Sequence, residues 1–221
     1  MTILGIDCSA SVLSVSLKVE KRLFETAVHD GFKHSENLMV QIEHLFKLSN
    51  LESRDLDLIA VAAGPGSFTG LRIAMSTAKG LALGAQCDLV SLSTLDVYAS
   101  IREDFDGLVV PVIDAKKKRF YSAVYKKGNK LTSELDIEAE TLLKTLDLSE
   151  NILFTGPDAL FFEKYKEKDN RINIDRYFSS VTATPLIKLG YEKWKEHGAD
   201  PHGSGPVYIR KSEAEISMFG D

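Results

Sequence analysis

The chain has 221 residues, 44% of them hydrophobic and 27% charged, an ordinary composition for one globular domain or two compact lobes. Its 27 Lys and Arg against 32 Asp and Glu give a formal net charge of -5, which excludes a protein that coats nucleic acid unaided. The two cysteines, Cys8 and Cys87, form no CxxC pair, which excludes a disulfide framework and a zinc knuckle. No basic leader opens the sequence and no apolar run approaches the length of a membrane span, so we expect a soluble, cytoplasmic protein without a membrane partner.

The first thirty residues predict an antiparallel meander of three strands. Residues 2–8 form a nearly continuous apolar run that contains the carboxylate Asp7 near its end. Residues 13–19 alternate apolar and polar side chains, which is typical of a half-buried strand, and residues 23–28 follow a polar turn. A helix is predicted next, with Ser35 as its N-cap and apolar side chains at helical spacing from Leu38 onward.

A glycine-rich loop then joins a buried strand, residues 58–63, to a second helix, Leu71 to about Ala85. The loop, Gly64 to Gly70, contains neither a Walker A ending nor a GxGxxG pattern. A helix N-terminus can bind an anion, and the alternative is a plain strand–helix connection whose glycines satisfy tight dihedrals. A short strand and a helix from Thr94 complete this half.

The polar stretch Glu103 to Gly107 marks the predicted boundary, giving lobes of 1–104 and 105–221. Beyond it a second apolar strand ends in Asp114, and another strand covers residues 120–125. A strand that ends in aspartate and then turns into a second strand therefore occurs twice, as expected for two lobes of similar plan. A late helix, at about 185–198, either belongs to the second lobe or returns to pack on the first.

The turns after Asp7 and Asp114 are candidate phosphate loops. Asp7 with Ser9 resembles the first such loop of the sugar kinase, actin and heat-shock ATPase superfamily, and Asp114 would begin the second. The alternative is that both aspartates cap tight turns by accepting backbone N–H bonds. The second turn continues as Ala-Lys-Lys-Lys and has no glycine for close approach to phosphate.

The second helix carries two stripes of small side chains at i, i+4, i+8, namely Ala74, Ala78 and Ala82, and Ser76, Gly80 and Gly84. Small side chains let another helix approach closely, while glycine lowers helix stability by up to about 1 kcal/mol relative to alanine. Close packing would offset that cost. The stripes predict packing either inside the fold or against a second chain.

Together these segments resemble the TsaB (YeaZ) family, a subunit of the bacterial machinery that makes threonylcarbamoyladenosine in tRNA. The resemblance rests on four segments: LGIDCS at residues 4–9, HSE at 34–36, GPGSFTGLR at 64–72 and PVYIR at 206–210. It implies an α/β, two-lobed actin/sugar-kinase-like (ribonuclease H-like) fold with mixed sheets flanked by helices. It also implies a non-catalytic scaffold that binds the catalytic paralogue TsaD and the ATPase TsaE, forms a homodimer when alone, and meets tRNA only within the complex.

In the resembling family, the helical face of the first lobe carries the partner surface. For this chain the residues implied are Leu38, Ala74, Ser76, Thr77, Ala78, Gly80 and Gly84. The family's TsaD carries a His-x-x-x-His metal pair, whose counterparts here, counted forward from Gly64, are Thr94 and Tyr98. Neither is a good metal ligand, so no metal or other cofactor is expected.

Two other functions remain as alternatives, a small ATPase or kinase of the same superfamily and a metallopeptidase. The lysine-filled second loop disfavours the first, and the missing His pair disfavours the second. One basic run, Lys116 to Arg119, is either a contact for tRNA phosphates or a solvated hairpin tip.

Overall fold

The computed structural model describes residues 1–31, 33–166 and 169–210, and the chain divides into two compact units. The first unit comprises Met1–Val97 and Ser179–Pro206, and the second comprises Tyr98–Phe178 and the residues from Val207 onward. The predicted boundary after residue 104 thus differs from the division at Val97. The polar stretch 103–107 that suggested it is a turn within the second unit.

The first unit is built on a five-stranded mixed sheet in the order β3-β2-β1-β4-β5, in which β2 is antiparallel to both neighbours and β4 and β5 run parallel to β1. Its elements up to the division are β1 (Thr2–Asp7), β2 (Leu13–Val19), β3 (Arg22–Val28), α1 (His34–Ser49), β4 (Leu58–Gly64), α2 (Phe68–Ala85) and β5 (Asp88–Ser93). The chain passes into the second unit within α3 (Thr94–Ser100).

Helices α1 and α2 bury their apolar sides in one core with β1, β2 and β4. Leu38, Ile42 and Leu45 recur every three or four residues along α1 and are each 1% exposed. The periodicity that predicted this helix is therefore the pattern of its buried face. The predicted cap was wrong by position: α1 begins at His34, and Lys33 precedes it without a side-chain cap.

The second unit repeats the plan of the first around β6, with the sheet order β10-β7-β6-β11-β12. Strand β7 is antiparallel to β6, and β11 and β12 follow in parallel. The elements are β6 (Leu108–Asp114), β7 (Arg119–Ser122), β8 (Tyr125–Lys126), β9 (Asn129–Lys130), β10 (Leu135–Glu138), α4 (Ala139–Thr145), β11 (Ile152–Thr155), α5 (Glu163–Lys166) and β12 (Ile172–Ile174). The two central strands, β1 and β6, each end in an aspartate.

The last helix, α6 (Ala183–His197), packs on β1, β2, β4 and β5 of the first unit. Two glycines permit the close approach. A Cβ on Gly5 would lie 2.5 Å from the carbonyl oxygen of Ala183, and one on Gly190 would lie 2.6 Å from the Cβ of Ala60. Within the residues that the structure describes, no helix combines the length and apolar character of a membrane span.

A polar network fixes the C-terminal end of α6 to the edge strand β5. Asp200 accepts hydrogen bonds from the backbone N–H of Ser91 at 2.8 Å and from the ammonium of Lys193 at 2.7 Å. Lys193 also donates to the carbonyl of Ser91 at 2.9 Å. Burial alone would raise the pKa of Asp200, but the hydrogen bonds from Lys193 and Ser91 together hold that pKa below its ordinary value.

Replacing Asp200 with Asn is therefore expected to lower the free energy of unfolding by about 2 kcal/mol at pH 7, because hydrogen bonds to a charged acceptor are lost. The pKa is lower in the folded chain, so this stabilisation is complete above the unfolded value, near 3.8, and disappears as the pH falls through the folded value. Urea unfolding of both proteins at pH 7 and pH 2.5 checks it. A difference of equal size at the two pH values would contradict this account.

Candidate functional site

The carboxylate of Asp7 is fully enclosed at the end of β1. The side chain belongs to a residue that is 1% exposed. Its Oδ1 accepts the N–H of Ser9 at 2.8 Å, and its Oδ2 accepts the hydroxyl of Thr182 at 2.5 Å. Thr182 directly precedes α6. The aspartate thus joins the first turn of the chain to the start of the last helix, and both of its oxygens have donors within the first unit.

The glycine-rich loop between β4 and α2 closes over the turn that follows Asp7. The N–H of Ser67 donates to the carbonyl of Ser9 at 2.7 Å. A Cβ on Gly66 would lie 2.4 Å from that same carbonyl oxygen, and one on Gly70 would lie 2.0 Å from the carbonyl oxygen of Cys8. Glycine is required at both positions because any side chain would strike backbone. The segment therefore acts as a tightly packed cover for the first loop.

Two further side chains complete this enclosure. The hydroxyl of Ser67 caps α2 by accepting the N–H of Gly70 at 3.2 Å. The Nε2 of His34 lies 2.8 Å from the carbonyl oxygen of Ala10, and His34 is 2% exposed. The histidine at the start of α1 is thus built into the turn. The first loop, the signature segment and the start of α1 form one packed unit.

The second candidate loop has a different geometry. One oxygen of Asp114 accepts the backbone N–H of Lys116 at 2.8 Å, and the other accepts its ammonium at 2.9 Å. This hydrogen bond is the main reason why the pKa of Lys116 is raised. The N–H of Asp114 donates to Asp158 at 2.8 Å, and burial raises the pKa of Asp158. A lysine of the chain itself therefore occupies the carboxylate of this loop.

The tail segment that carries part of the family resemblance also ends at the second loop. Arg210 donates to the carbonyl of Ala115 at 2.9 Å and to one carboxylate oxygen of Asp136 at 2.7 Å. The other oxygen of Asp136 accepts from Arg119, also at 2.7 Å. One carboxylate thus connects the strand after the loop to the tail.

The positions matched to the TsaD histidines hold core residues. Thr94 is fully buried and its hydroxyl has no hydrogen-bond partner. Tyr98 is 1% exposed and packs edge-on against Phe178 with ring centroids 4.9 Å apart. Among the described residues, no three His, Cys, Asp or Glu side chains cluster in a way that could hold a metal ion.

The residues predicted to bind a partner separate into two groups. Leu38, Ala74 and Ala78 are at most 1% exposed and belong to the core between the helices and the sheet, so placing them on a surface was wrong. The alanine stripe is the inner side of α2. The other stripe, Ser76, Gly80 and Gly84, is exposed, and Thr77 is half-buried beside it. A Cβ added to Gly80 or Gly84 would meet no atom within 4 Å.

Large apolar side chains accompany the exposed stripe. Met39 and Val40 on α1 are 50% and 57% exposed, and Leu83 on α2 is 81% exposed. Helices α1 and α2 pack against each other, so these residues belong to one pair of neighbouring helices. We call this set, with Ser76, Gly80 and Gly84, the α1–α2 face. Its small and apolar side chains suit association with another protein surface.

Comparisons with known proteins place this geometry in context. The family model for TsaD, tRNA N6-adenosine threonylcarbamoyltransferase, matches residues 31–184. The chain is 31% identical to the tRNA threonylcarbamoyladenosine biosynthesis protein TsaB of Bacillus subtilis strain 168, over 99% of this chain and 98% of that protein. It is 32% identical to TsaB of Escherichia coli strain K12 over 58% of this chain and 56% of that one. The solved structure of YeaZ from Pseudomonas aeruginosa shares the fold, with a TM-score of 0.80, 24% identity and coverage of 94% of this chain and 99% of that one.

Proposed function

The chain belongs to the TsaB (YeaZ) family of tRNA threonylcarbamoyladenosine biosynthesis, within the wider group of TsaD-like proteins, and we propose that it is the non-catalytic scaffold of that machinery. In this role it binds TsaD, together with TsaE, in the cytoplasm. It is required for transfer of the threonylcarbamoyl group to the adenosine next to the anticodon of tRNA. The tRNA is met only through the complex.

The observation that carries the proposal is the internal use of both aspartate-led turns. A phosphate loop needs backbone donors and a carboxylate available for a magnesium water. Asp7 instead receives Ser9 and Thr182, and Asp114 receives Lys116. We regard both turns as vestigial phosphate loops that now stabilise the fold. This disfavours the ATPase or kinase alternative, and the core positions of Thr94 and Tyr98 disfavour a metallopeptidase.

The α1–α2 face supplies the partner surface in this proposal. Burying its exposed apolar side chains would favour association by about 25 cal/mol per Å², before the entropy losses of binding. The small residues Ser76, Gly80 and Gly84 allow the helix backbone itself to approach a partner closely. Without TsaD, the same face would join two copies of the chain. The homodimer and the complex with TsaD would then compete.

Reconstitution with purified proteins tests the function directly. We expect the chain to co-elute with TsaD in gel filtration and to be required for threonylcarbamoylation of tRNA when TsaD and TsaE are present. The isolated chain should hydrolyse ATP at background level and contain no stoichiometric transition metal. Saturable ATP hydrolysis by the isolated chain, or modification of tRNA at the same rate without it, would contradict the proposal.

A further inference from the structure

Residues 116–119, three lysines and an arginine, form what we call the basic turn, between β6 and β7 of the second unit. We propose that the basic turn contacts the phosphate backbone of the RNA substrate when the chain is part of its complex. This inference rests on the proposed function, because it takes the RNA to be present only through the complex.

The backbone of the basic turn is the first argument. Lys116, Lys117 and Lys118 have φ values of 63°, 54° and 62°, so three consecutive side chains lie in the left-handed region. L-residues enter this region only against a steric cost, and glycine or asparagine would adopt it more readily. All three lysines are exposed, so core packing does not explain their presence. Residues held in such conformations by their surroundings concentrate at functional sites.

The surroundings do hold this conformation. The N–H of Ala115 donates to the carbonyl of Arg119 at 2.9 Å, and the N–H of Arg119 donates to the carbonyl of Lys116 at 3.0 Å. Asp114 binds Lys116 through both backbone and side chain, and Arg210 binds the Ala115 carbonyl. The turn is therefore fixed at its base while its lysine side chains project from it. A fixed turn loses less conformational entropy on binding than a flexible one.

Charge is the second argument. The carboxylates around the turn are Asp114 and Asp158 on one side and Asp136 on the other, and Asp136 is shared by Arg119 and Arg210. Five cations thus face three carboxylates, an excess of positive charge in a chain whose net charge is -5. Within the described part of the chain, Lys118 has no carboxylate at ion-pair distance. A lysine is a point charge that suits non-specific phosphate contact.

The test is RNA affinity at several salt concentrations, measured on the complex of full-length chain and TsaD with an unmodified tRNA transcript. The double variant Lys117→Gln/Lys118→Gln keeps side-chain length and removes two charges. Each lost phosphate contact lowers the slope of log K against log salt by about 0.7–0.9, so we expect a decrease of about 1.5 and affinity weaker by tenfold or more at 0.1 M salt.

The matched control is Lys21→Gln/Lys127→Gln, which removes two exposed lysines from other turns. Lys127 also has a positive φ, 49°, at a hairpin tip of the same unit, so the control reproduces the backbone setting. It should leave the slope unchanged. Lys118→Gly removes one charge and relieves one left-handed side chain, so it should raise the urea midpoint of the isolated chain while weakening RNA binding.

The results separate this inference from the proposed function. If wild-type chain and TsaD form no complex, the proposed function fails first. If the complex forms and the lysine variants bind RNA with an unchanged slope, the inference is overturned while the proposed function stands. If the variants fail to assemble with TsaD although they remain folded, the turn contacts an acidic protein surface and the RNA assignment is overturned.

Discussion

Gly80→Arg is expected to weaken binding of the chain to TsaD and to itself together, each by roughly 30- to 150-fold. Gly80 is exposed at the middle of α2, and no atom lies within 4 Å of the position its Cβ would take. An arginine there fits the monomer but places a long charged side chain in a surface that must be desolvated on association. Isothermal titration with TsaD and sedimentation of the isolated chain measure the two affinities.

The isolated Gly80→Arg variant should remain folded and become slightly more stable, because arginine is a better helix former than glycine by close to 1 kcal/mol. Its control is Glu192→Arg, which adds positive charge to an exposed position of α6, on the opposite side of the sheet. The control should bind normally. If Gly80→Arg binds both partners as tightly as the wild type, the association surface lies elsewhere and the stripe has no role in it.

Ala78→Trp gives the opposite result, although Ala78 is only two residues away. The sequence alone places Ala78 with Gly80 among the partner-binding residues. Ala78 is in fact fully buried in the core of the first unit. A tryptophan there would overpack the core at a cost of about 3 kcal/mol or more, so loss of binding in this variant would reflect loss of folding.

The two stripes of α2 show why the sequence alone could not assign the surface. Their four-residue spacing predicts that each lies along one side of a helix, which is correct. Alanine, serine and glycine have similar size and weak hydropathy, however, so composition does not say which stripe faces the sheet. The answer depends on the apolar neighbours Leu71 and Met75, whose buried positions adjoin Ala74 and Ala78. A moment calculated from small residues is too weak to decide.

The candidate site has a similar limit. A strand that ends in Asp7, followed by a turn, was predictable from local pattern and so was its repeat at Asp114. Thr182, which donates to Asp7 from 175 residues away, has no local signal. The same applies to Asp136, whose role depends on its pairing with Arg119 and Arg210. Long-range partners of a polar side chain depend on topology, which single-sequence periodicity does not contain.

Short edge strands were the other omission. Strands β10 and β12 cover Leu135–Glu138 and Ile172–Ile174, only four and three residues. Segments of that length contain too few alternations to stand out from loops. The central strands β1, β4 and β6 are buried along almost their whole length and were found from continuous apolar runs. Burial on both faces makes the strongest signal, and it marks the part of each sheet that positions the two aspartates.

Gly70→Ala is expected to destabilise the first unit by about 3 kcal/mol or more, the largest effect of adding a single methyl group that we expect in this chain. A Cβ at this position would lie 2.0 Å from the carbonyl oxygen of Cys8 and 3.2 Å from the ring of His34. The nearest atom belongs to backbone that also forms the turn after Asp7, so it cannot move aside without disturbing the packed cover. Helix propensity would favour alanine, but by only about 1 kcal/mol.

Gly80→Ala is the matched control, because it makes the same change in the same helix at a position with open space. It should stabilise the chain by close to 1 kcal/mol. Thermal unfolding monitored by circular dichroism compares the two, and for a chain of this size a loss of 3 kcal/mol lowers the midpoint by roughly 6–12 °C. If Gly70→Ala unfolds at the wild-type temperature or above it, the glycine-rich segment is not a close cover over the Cys8 turn. The first loop would then have room for a phosphate, and the scaffold interpretation would lose its main support.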